Sequence, residues 1–119
     1  MIRLSSYVQD RWVEGTGEPA VLVNPSTEEA VAATTTEGID MAAALDHART
    51  VGGPALRAMT FAQRGELLKK MANALHEYRE ELLEIAEKNN GGTRGGAKFD
   101  VDGATGTLAS YARLGEKLG

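Results

Sequence analysis

Residues 60–88, TFAQRGELLKKMANALHEYREELLEIAEK, form the strongest helix pattern in the chain. Apolar side chains recur every three or four positions and define one stripe, while charged and polar side chains occupy most of the remaining surface. The stripe consists of Phe61, Leu68, Met71, Ala72, Leu75, Leu82, Ile85 and Ala86. A helix with such a stripe is stabilised by packing against another surface, so the other segments must help to provide one.

Local patterns predict where this helical stretch begins, breaks and ends. Thr60 and Gln63 have the spacing of a capping box, in which the two residues satisfy each other's backbone N–H groups. The Asn-Asn-Gly-Gly sequence at 89–92 tolerates the left-handed conformation that ends helices. A straight helix over residues 60–88 would measure about 43 Å at 1.5 Å per residue. That length is unusual in a small domain, so we predict a break at residues 76–79 and two consecutive helices.

The composition excludes several functional classes. The chain has 119 residues, enough for one small domain. Its net charge of −4 argues against a nucleic-acid partner, because such proteins need a basic face. No apolar run approaches the ~20 residues of a membrane span, and the start lacks the features of a secretory signal. There is no cysteine, hence no disulfide or thiolate in these residues. We expect a cytoplasmic protein without a membrane partner.

Residues 1–36 are predicted to form a β-meander. Its strands are residues 6–13, Ala20–Val23 and residues 30–36, which are rich in β-branched and aromatic side chains or bounded by turn residues. Asn-Pro-Ser-Thr at 24–27 predicts a turn, because the Asn side chain can bond nearby backbone and Pro presets φ.

Residues 40–119 are predicted to be helical. Asp40 is a favourable N-cap for a helix over residues 41–50, and the Val-Gly-Gly-Pro sequence at 51–54 is expected to end it. A short helix over residues 54–59 follows, with proline in its first turn.

The last predicted helix is capped by Asp100 or Asp102 and extends to about Lys117. Gly103 and Gly106 fall on one face of this helix. Because a glycine inside a helix costs about 1 kcal/mol relative to alanine, we expect these two to allow another helix to approach closely.

Two glycine-rich stretches and two histidines are the candidates for binding sites in the sequence. Residues 15–20, GTGEPA, fit a dinucleotide-binding pattern, but a proline and a strand follow where the phosphate-binding helix must begin. We interpret them as a hairpin turn. Residues 91–98, GGTRGGAK, fail the phosphate-loop pattern and are interpreted as a mobile connector. His47 and His76 lack convergent metal ligands. We assign no catalytic, cofactor-binding or metal-binding residue in this chain.

The order of these features resembles the N-terminal segment of the aldehyde dehydrogenases. NPSTEEAVA at 24–32 resembles the family's Asn-Pro-small-Thr-Gly-Glu-hydrophobic pattern. Residues 60–72 resemble its Arg-x-x-Leu-Leu helix, residues 78–82 the continuation, and residues 106–112 the helix that follows. The resemblance covers essentially the whole chain, and the order of the motifs is more specific than any one of them.

Further details are similar to the branch that acts on coenzyme A-linked semialdehydes in aromatic-acid (benzoate) degradation. Residues 36–44 and 53–61 are similar to that branch. Two positions depart from the general pattern: Glu28 replaces a glycine, and residues 89–98 replace the usual Glu-Thr-Gly-Lys-Pro loop.

The resemblance implies an α/β parent protein with a Rossmann-like cofactor domain. Residues 1–119 would be the N-terminal part of that domain, mainly α-helical with an N-terminal β-meander, and the catalytic domain would lie outside them. The parent would oxidise a small-molecule aldehyde to the acid with NADP or NAD, NADP being favoured, through a cysteine thiolate. The cofactor would be bound mainly by residues outside this chain. Homo-oligomerisation, as a dimer or larger, is also implied.

Under this reading the partner of the chain is the rest of the parent polypeptide. We expect the 119 residues alone to be inactive and to expose apolar helix faces that the missing sheet would cover. The main alternative is a free-standing helical module that binds another protein, and a further alternative is a small-molecule-binding regulator. A module should unfold cooperatively as a compact monomer, whereas an isolated segment should be poorly soluble or molten.

Overall fold

A computed structural model describes residues 1–119, which divide into two units, Met1–Ala55 and Leu56–Gly119. The strands, β1 to β5 in order, are Ile2–Arg3, Ser6–Val8, Arg11–Val13, Ala20–Val23 and Ala30–Thr34. The α-helices, α1 to α5 in order, are Met41–His47, Gly53–Arg57, Phe61–Glu77, Arg79–Asn90 and Arg94–Leu118, and a π-helical turn, Ala48–Gly52, lies between α1 and α2. The chain is mainly helical with N-terminal strands, as predicted.

The strands form two separate sheets rather than the predicted meander. A three-stranded sheet has the order β1-β5-β4, in which β5 pairs parallel with β1 and antiparallel with β4. This sheet has a small hydrophobic core, because its buried side chains are those of Ala32 and Ala33. The predicted strand β4 and the turn after it are confirmed, with Ser26 N donating to Asn24 Oδ1 at 2.9 Å.

The single strand predicted over residues 6–13 is wrong, because the chain reverses in its middle. β2 and β3 form an antiparallel hairpin in which Tyr7 lies opposite Trp12. The turn residues Gln9 and Asp10 both have positive φ, 51° and 63°. A two-residue turn of this kind normally contains glycine or asparagine, and Gln9 and Asp10 are neither, so the turn is hard to predict from the sequence.

The hairpin turn predicted at residues 15–20 is also wrong, since these residues connect β3 of one sheet to β4 of the other. The connection is tied to the segment after β5, because Thr16 N donates to Glu37 O at 2.9 Å. Position 15 requires glycine because the backbone of Thr35 lies so close that an added Cβ would be 2.1 Å from Thr35 O.

Helix α1 begins at the predicted cap, where Asp40 accepts a hydrogen bond from Ala43 N at 2.9 Å. The predicted end at residues 51–54 is wrong, because the chain remains helical through the π turn into α2. Gly53 N donates to Ala48 O, five residues back. A regular α-helix would bring the Pro54 ring against the carbonyl four residues earlier, and the wider π turn provides the extra space.

The predicted break in the long helix is confirmed. Helix α3 starts at the Thr60–Gln63 capping box, with both hydrogen bonds present at 2.9 and 3.1 Å. Tyr78 leaves the helical conformation, with φ −94° and ψ 16°, and separates α3 from α4. Gly91, with φ 64°, ends α4 in the left-handed conformation as predicted.

Helix α5 begins earlier than predicted. Thr93 is the N-cap and accepts from Gly96 N at 3.1 Å, so Asp100 and Asp102 lie inside the helix and residues 94–98 are not a mobile connector. The glycines of this first turn reduce its helix propensity. Burial of Ala97, which is 6% exposed, provides the compensating tertiary contact.

The close helix contact predicted at Gly103 and Gly106 is wrong, because a Cβ on either would meet open space. The contact is made instead by Gly65 of α3 and Gly115 of α5. Leu83, which is fully buried, is the largest side chain in the core and lies outside the predicted apolar stripe. None of the helices has the length and apolar character needed to cross a membrane.

Candidate functional site: a docking surface

The three long helices of residues Leu56–Gly119 leave one apolar surface uncovered, here called the apolar face. It consists of Met71, Leu75, Tyr78, Leu82, Ile85 and Val101, which line two adjoining grooves. Met71, Tyr78 and Ile85 are each more than half exposed, at 54%, 56% and 51%. Exposed apolar surface of this kind marks a site of interaction in soluble proteins.

The first groove has a volume of about 440 Å³ and lies along the junction of α3 and α4. Glu81 is the one charged residue in its lining. The second groove, of about 260 Å³, lies between these helices and Val101 of α5. The grooves share Leu75, Leu82 and Ile85, so they form one continuous depression.

The apolar face is held in place by the packing of α3 against α5 on the opposite side of α3. A Cβ on Gly65 would lie 2.7 Å from Ala112 O, so the backbones of α3 and α5 touch. Ala72 and Ala112 are buried near this crossing, at 5% and 4% exposure. Leu83 is buried on α4, whereas Leu82 and Ile85 of the same helix line the open grooves. The predicted stripe is therefore divided between a narrow alanine-lined contact and an uncovered face.

Ion pairs connect α4 to α5. The Arg79 guanidinium donates from two nitrogens to the two carboxylate oxygens of Asp102, at 2.7 and 2.9 Å. Glu80 accepts from Arg79 at 3.0 Å and also pairs with Arg94 of α5. Donation from Arg79 lowers the pKa of Asp102, and the same hydrogen bonds raise the pKa of Arg79. Because these charges neutralise one another, they add no reactive group to the surface.

Arg64 has no such partner. It lies on α3, three residues after Phe61 and seven residues before Met71. This spacing places Arg64 on the same side of the helix as Met71, which is part of the apolar face. Its Nε atom is buried and has no hydrogen-bond partner. Its guanidinium carbon lies 4.7 Å from the centroid of the Phe61 ring, which is itself 52% exposed. In the sequence Arg64 is one of the charged and polar residues that surround the apolar stripe, and nothing in that pattern indicates that one of its nitrogen atoms is buried.

The two histidines lie in different surroundings. His76 is exposed on α3. His47 is half-buried and lines a depression of about 520 Å³ together with Tyr7 and Asp10. The Tyr7 hydroxyl donates to Asp10 Oδ1, and this hydrogen bond raises the pKa of Tyr7. No group of three or more His, Cys, Asp or Glu side chains lies close enough to bind a metal ion.

Neither glycine-rich stretch has the geometry of a dinucleotide site. Gly15 and Gly17 precede strand β4, not a helix N-terminus. Residues 94–98 form the first turn of α5, which follows helix α4 and not a strand. Neither stretch therefore forms a dinucleotide-binding turn, and the exposed apolar face is the candidate site that the structure shows most clearly.

Comparison with known proteins identifies the family. Residues 12–119 match the sequence profile of the aldehyde dehydrogenase family. The chain is 47% identical over 118 residues to the 3,4-dehydroadipyl-CoA semialdehyde dehydrogenase of Aromatoleum evansii, covering 99% of this chain and 23% of that protein.

The fold is also that of a solved family member. The chain superimposes with a TM-score of 0.83 on an NAD-dependent benzaldehyde dehydrogenase from Corynebacterium glutamicum, at 23% identity, covering 97% of this chain and 25% of that one. The chain thus spans about a quarter of the length of both proteins. These matches do not favour a free-standing interaction module. The chain belongs to the aldehyde dehydrogenase family.

Proposed function

We propose that these 119 residues form the N-terminal part of the cofactor-binding domain of an NAD(P)-dependent aldehyde dehydrogenase. The substrate class is a coenzyme A-linked semialdehyde, which the complete enzyme oxidises to the carboxylic acid in aromatic-acid degradation. The observation that supports this most strongly is the 47% identity, over 99% of the chain, to a relative named for that substrate class.

The role of this chain is structural and not chemical. It contains no cysteine, so the nucleophile of the family's reaction must lie in polypeptide outside these residues. It also lacks a dinucleotide-binding turn, so the cofactor must be held by residues elsewhere. The chain alone is inactive under this proposal. Its contribution is a set of helices whose apolar face packs against the remainder of the domain.

The proposal includes three further properties of the complete enzyme: preference for NADP over NAD, assembly into a homo-oligomer, and a cytoplasmic location. The first two follow from the family resemblance.

A chimeric enzyme tests the proposal. In it, this chain replaces the matching 118 residues of the Aromatoleum evansii dehydrogenase. We expect the chimera to form NADPH or NADH when given the semialdehyde, and the isolated 119 residues to form none. The control is the same enzyme with the segment deleted. An active deletion variant, or turnover by the isolated chain, would contradict the proposal.

A further inference from the structure

We propose that Arg64 is an anchor for a carboxylate on the polypeptide that covers the apolar face. The proposed occupant is a segment of the remaining three quarters of the parent enzyme, with an Asp or Glu opposite Arg64 and aliphatic side chains in the adjoining grooves. This inference rests on the proposed function, because it takes the covering polypeptide to be part of the same protein.

The first reason is that the Arg64 guanidinium has no partner within the chain. The Arg64 side chain forms no hydrogen bond or ion pair within the chain, and its Nε atom is buried. By contrast, Arg79 and Arg94 on the neighbouring helices each pair with carboxylates. A buried polar group without a partner is costly, so native proteins supply one with few exceptions.

The second reason is the place where Arg64 lies. Phe61 holds the guanidinium by a cation–π contact at 4.7 Å, which fixes its position while leaving its N–H groups without acceptors. Leu68 and Met71 continue the same side of α3 toward the larger groove. A segment that fills the groove would therefore also pass near Arg64.

The third reason concerns the chemistry of the partner. A planar guanidinium matches a carboxylate in a two-point hydrogen bond, which is stronger than a bond to a neutral acceptor. The opposite charge also compensates the desolvation of the cation when the surface is covered. A polypeptide from the same protein is favoured as occupant because family members are about four times as long as this chain.

The test compares Arg64→Met with Arg57→Met in the chimeric enzyme. Arg64→Met removes one partner of a buried ion pair, so we expect the Tm of the chimera to fall by about 3 °C or more. Arg57→Met, at an exposed arginine on α2, is the matched control and should leave the Tm of the chimera unchanged.

A crystal structure of the chimera provides the second measurement. We expect a carboxylate oxygen from outside the 119 residues within about 3.2 Å of an Arg64 nitrogen. An unchanged Tm of Arg64→Met in an active chimera would overturn the anchor and leave the proposed function intact. A neighbouring subunit opposite Arg64, or only solvent there, would also overturn it. An inactive chimera would contradict the proposed function itself.

Discussion

Gly65 of α3 and Gly115 of α5 face each other at the point where the two helix backbones come closest. A Cβ added to Gly115 would lie 3.1 Å from Gly65 Cα and 2.6 Å from Phe61 O. Real Cβ atoms do not occupy such positions without displacement of the backbone. The two glycines therefore set the separation of the helices, and the width of the alanine-lined contact beside them follows from it.

Gly65→Ala should lower the free energy of unfolding by about 1–3 kcal/mol, because the new methyl group meets the carbonyl of Ala112. Gly103→Ala is the matched control in α5, since a Cβ there meets nothing within 4 Å. That variant should gain up to about 1 kcal/mol from better helix propensity. Urea unfolding followed by circular dichroism measures both, and equal effects of the two substitutions would disprove the close contact.

Leu83→Ala should cost about 2–5 kcal/mol, because Leu83 is fully buried and its removal leaves a cavity. Ile85, two residues further along α4, is 51% exposed and serves as the comparison. Ile85→Ala in the isolated chain should cost much less, by the same urea measurement. A larger loss at Ile85 than at Leu83 would mean that the buried side of α4 is assigned incorrectly.

Thr60→Ala should destabilise α3 by about 1 kcal/mol, because the hydroxyl accepts from Gln63 N and completes the capping box. Thr107→Ala, in the interior of α5, removes a hydroxyl that bonds only the carbonyl of Gly103 within its own helix. Its effect on thermal unfolding should be small. If the two variants melt at the same temperature, the cap contributes nothing measurable.

The Arg79–Asp102 pair predicts a specific pH dependence. Hydrogen bonding to Arg79 lowers the pKa of Asp102 below its usual value of 3.8 in the folded chain. The unfolded chain therefore binds the proton at a higher pH than the folded chain does. The contribution of the pair is complete above pH 3.8 and is lost as the pH falls through the lowered pKa.

Asp102→Asn should therefore be less stable than the unsubstituted chain at neutral pH, and the difference should shrink below pH 3.8. Urea unfolding over a series of pH values measures this difference. Asp100→Asn is the control, since Asp100 is an exposed carboxylate of the same helix that takes no part in the ion pairs of Arg79 and Arg94. A stability difference that persists unchanged into strong acid would contradict the ionic role of Asp102.

Features that depend on neighbouring residues alone could be predicted from the sequence. The capping box at Thr60, the cap at Asp40 and the left-handed stop at Gly91 each require only a few adjacent side chains. The break before Arg79 could also be predicted, but from length: a straight helix over residues 60–88 would be unusually long for a small domain.

Features that depend on which helices meet could not be predicted in the same way. Gly103 and Gly115 are equivalent in propensity, and only the crossing of α3 over α5 distinguishes them. The burial of Leu83, in place of its neighbours on α4, has the same cause. The hairpin at Gln9 was missed because its turn lacks glycine, although both turn residues adopt positive φ.

The docking surface was predicted in part. The apolar stripe on residues 60–88 is present, and the sequence indicated that it needs a covering surface. The sequence did not show that Met71 and Ile85 would remain uncovered while Ala72 became buried, because that division follows from the position of α5. Arg64 was unrecognised for a related reason: burial of a single nitrogen atom is invisible in a helical pattern.

The proposed function makes the claim that the apolar face is an internal surface of a longer dehydrogenase. Met71 reports on it directly, because its thioether lines the larger groove and is 54% exposed in this chain. The measurement is the rate of Met71 oxidation by hydrogen peroxide, followed by mass spectrometry, with the 76% exposed Met1 as internal reference. Oxidation of Met71 should be fast in the isolated chain and strongly slowed in the chimeric enzyme. If Met71 is oxidised as readily as Met1 in both, the face remains open and the claim is contradicted.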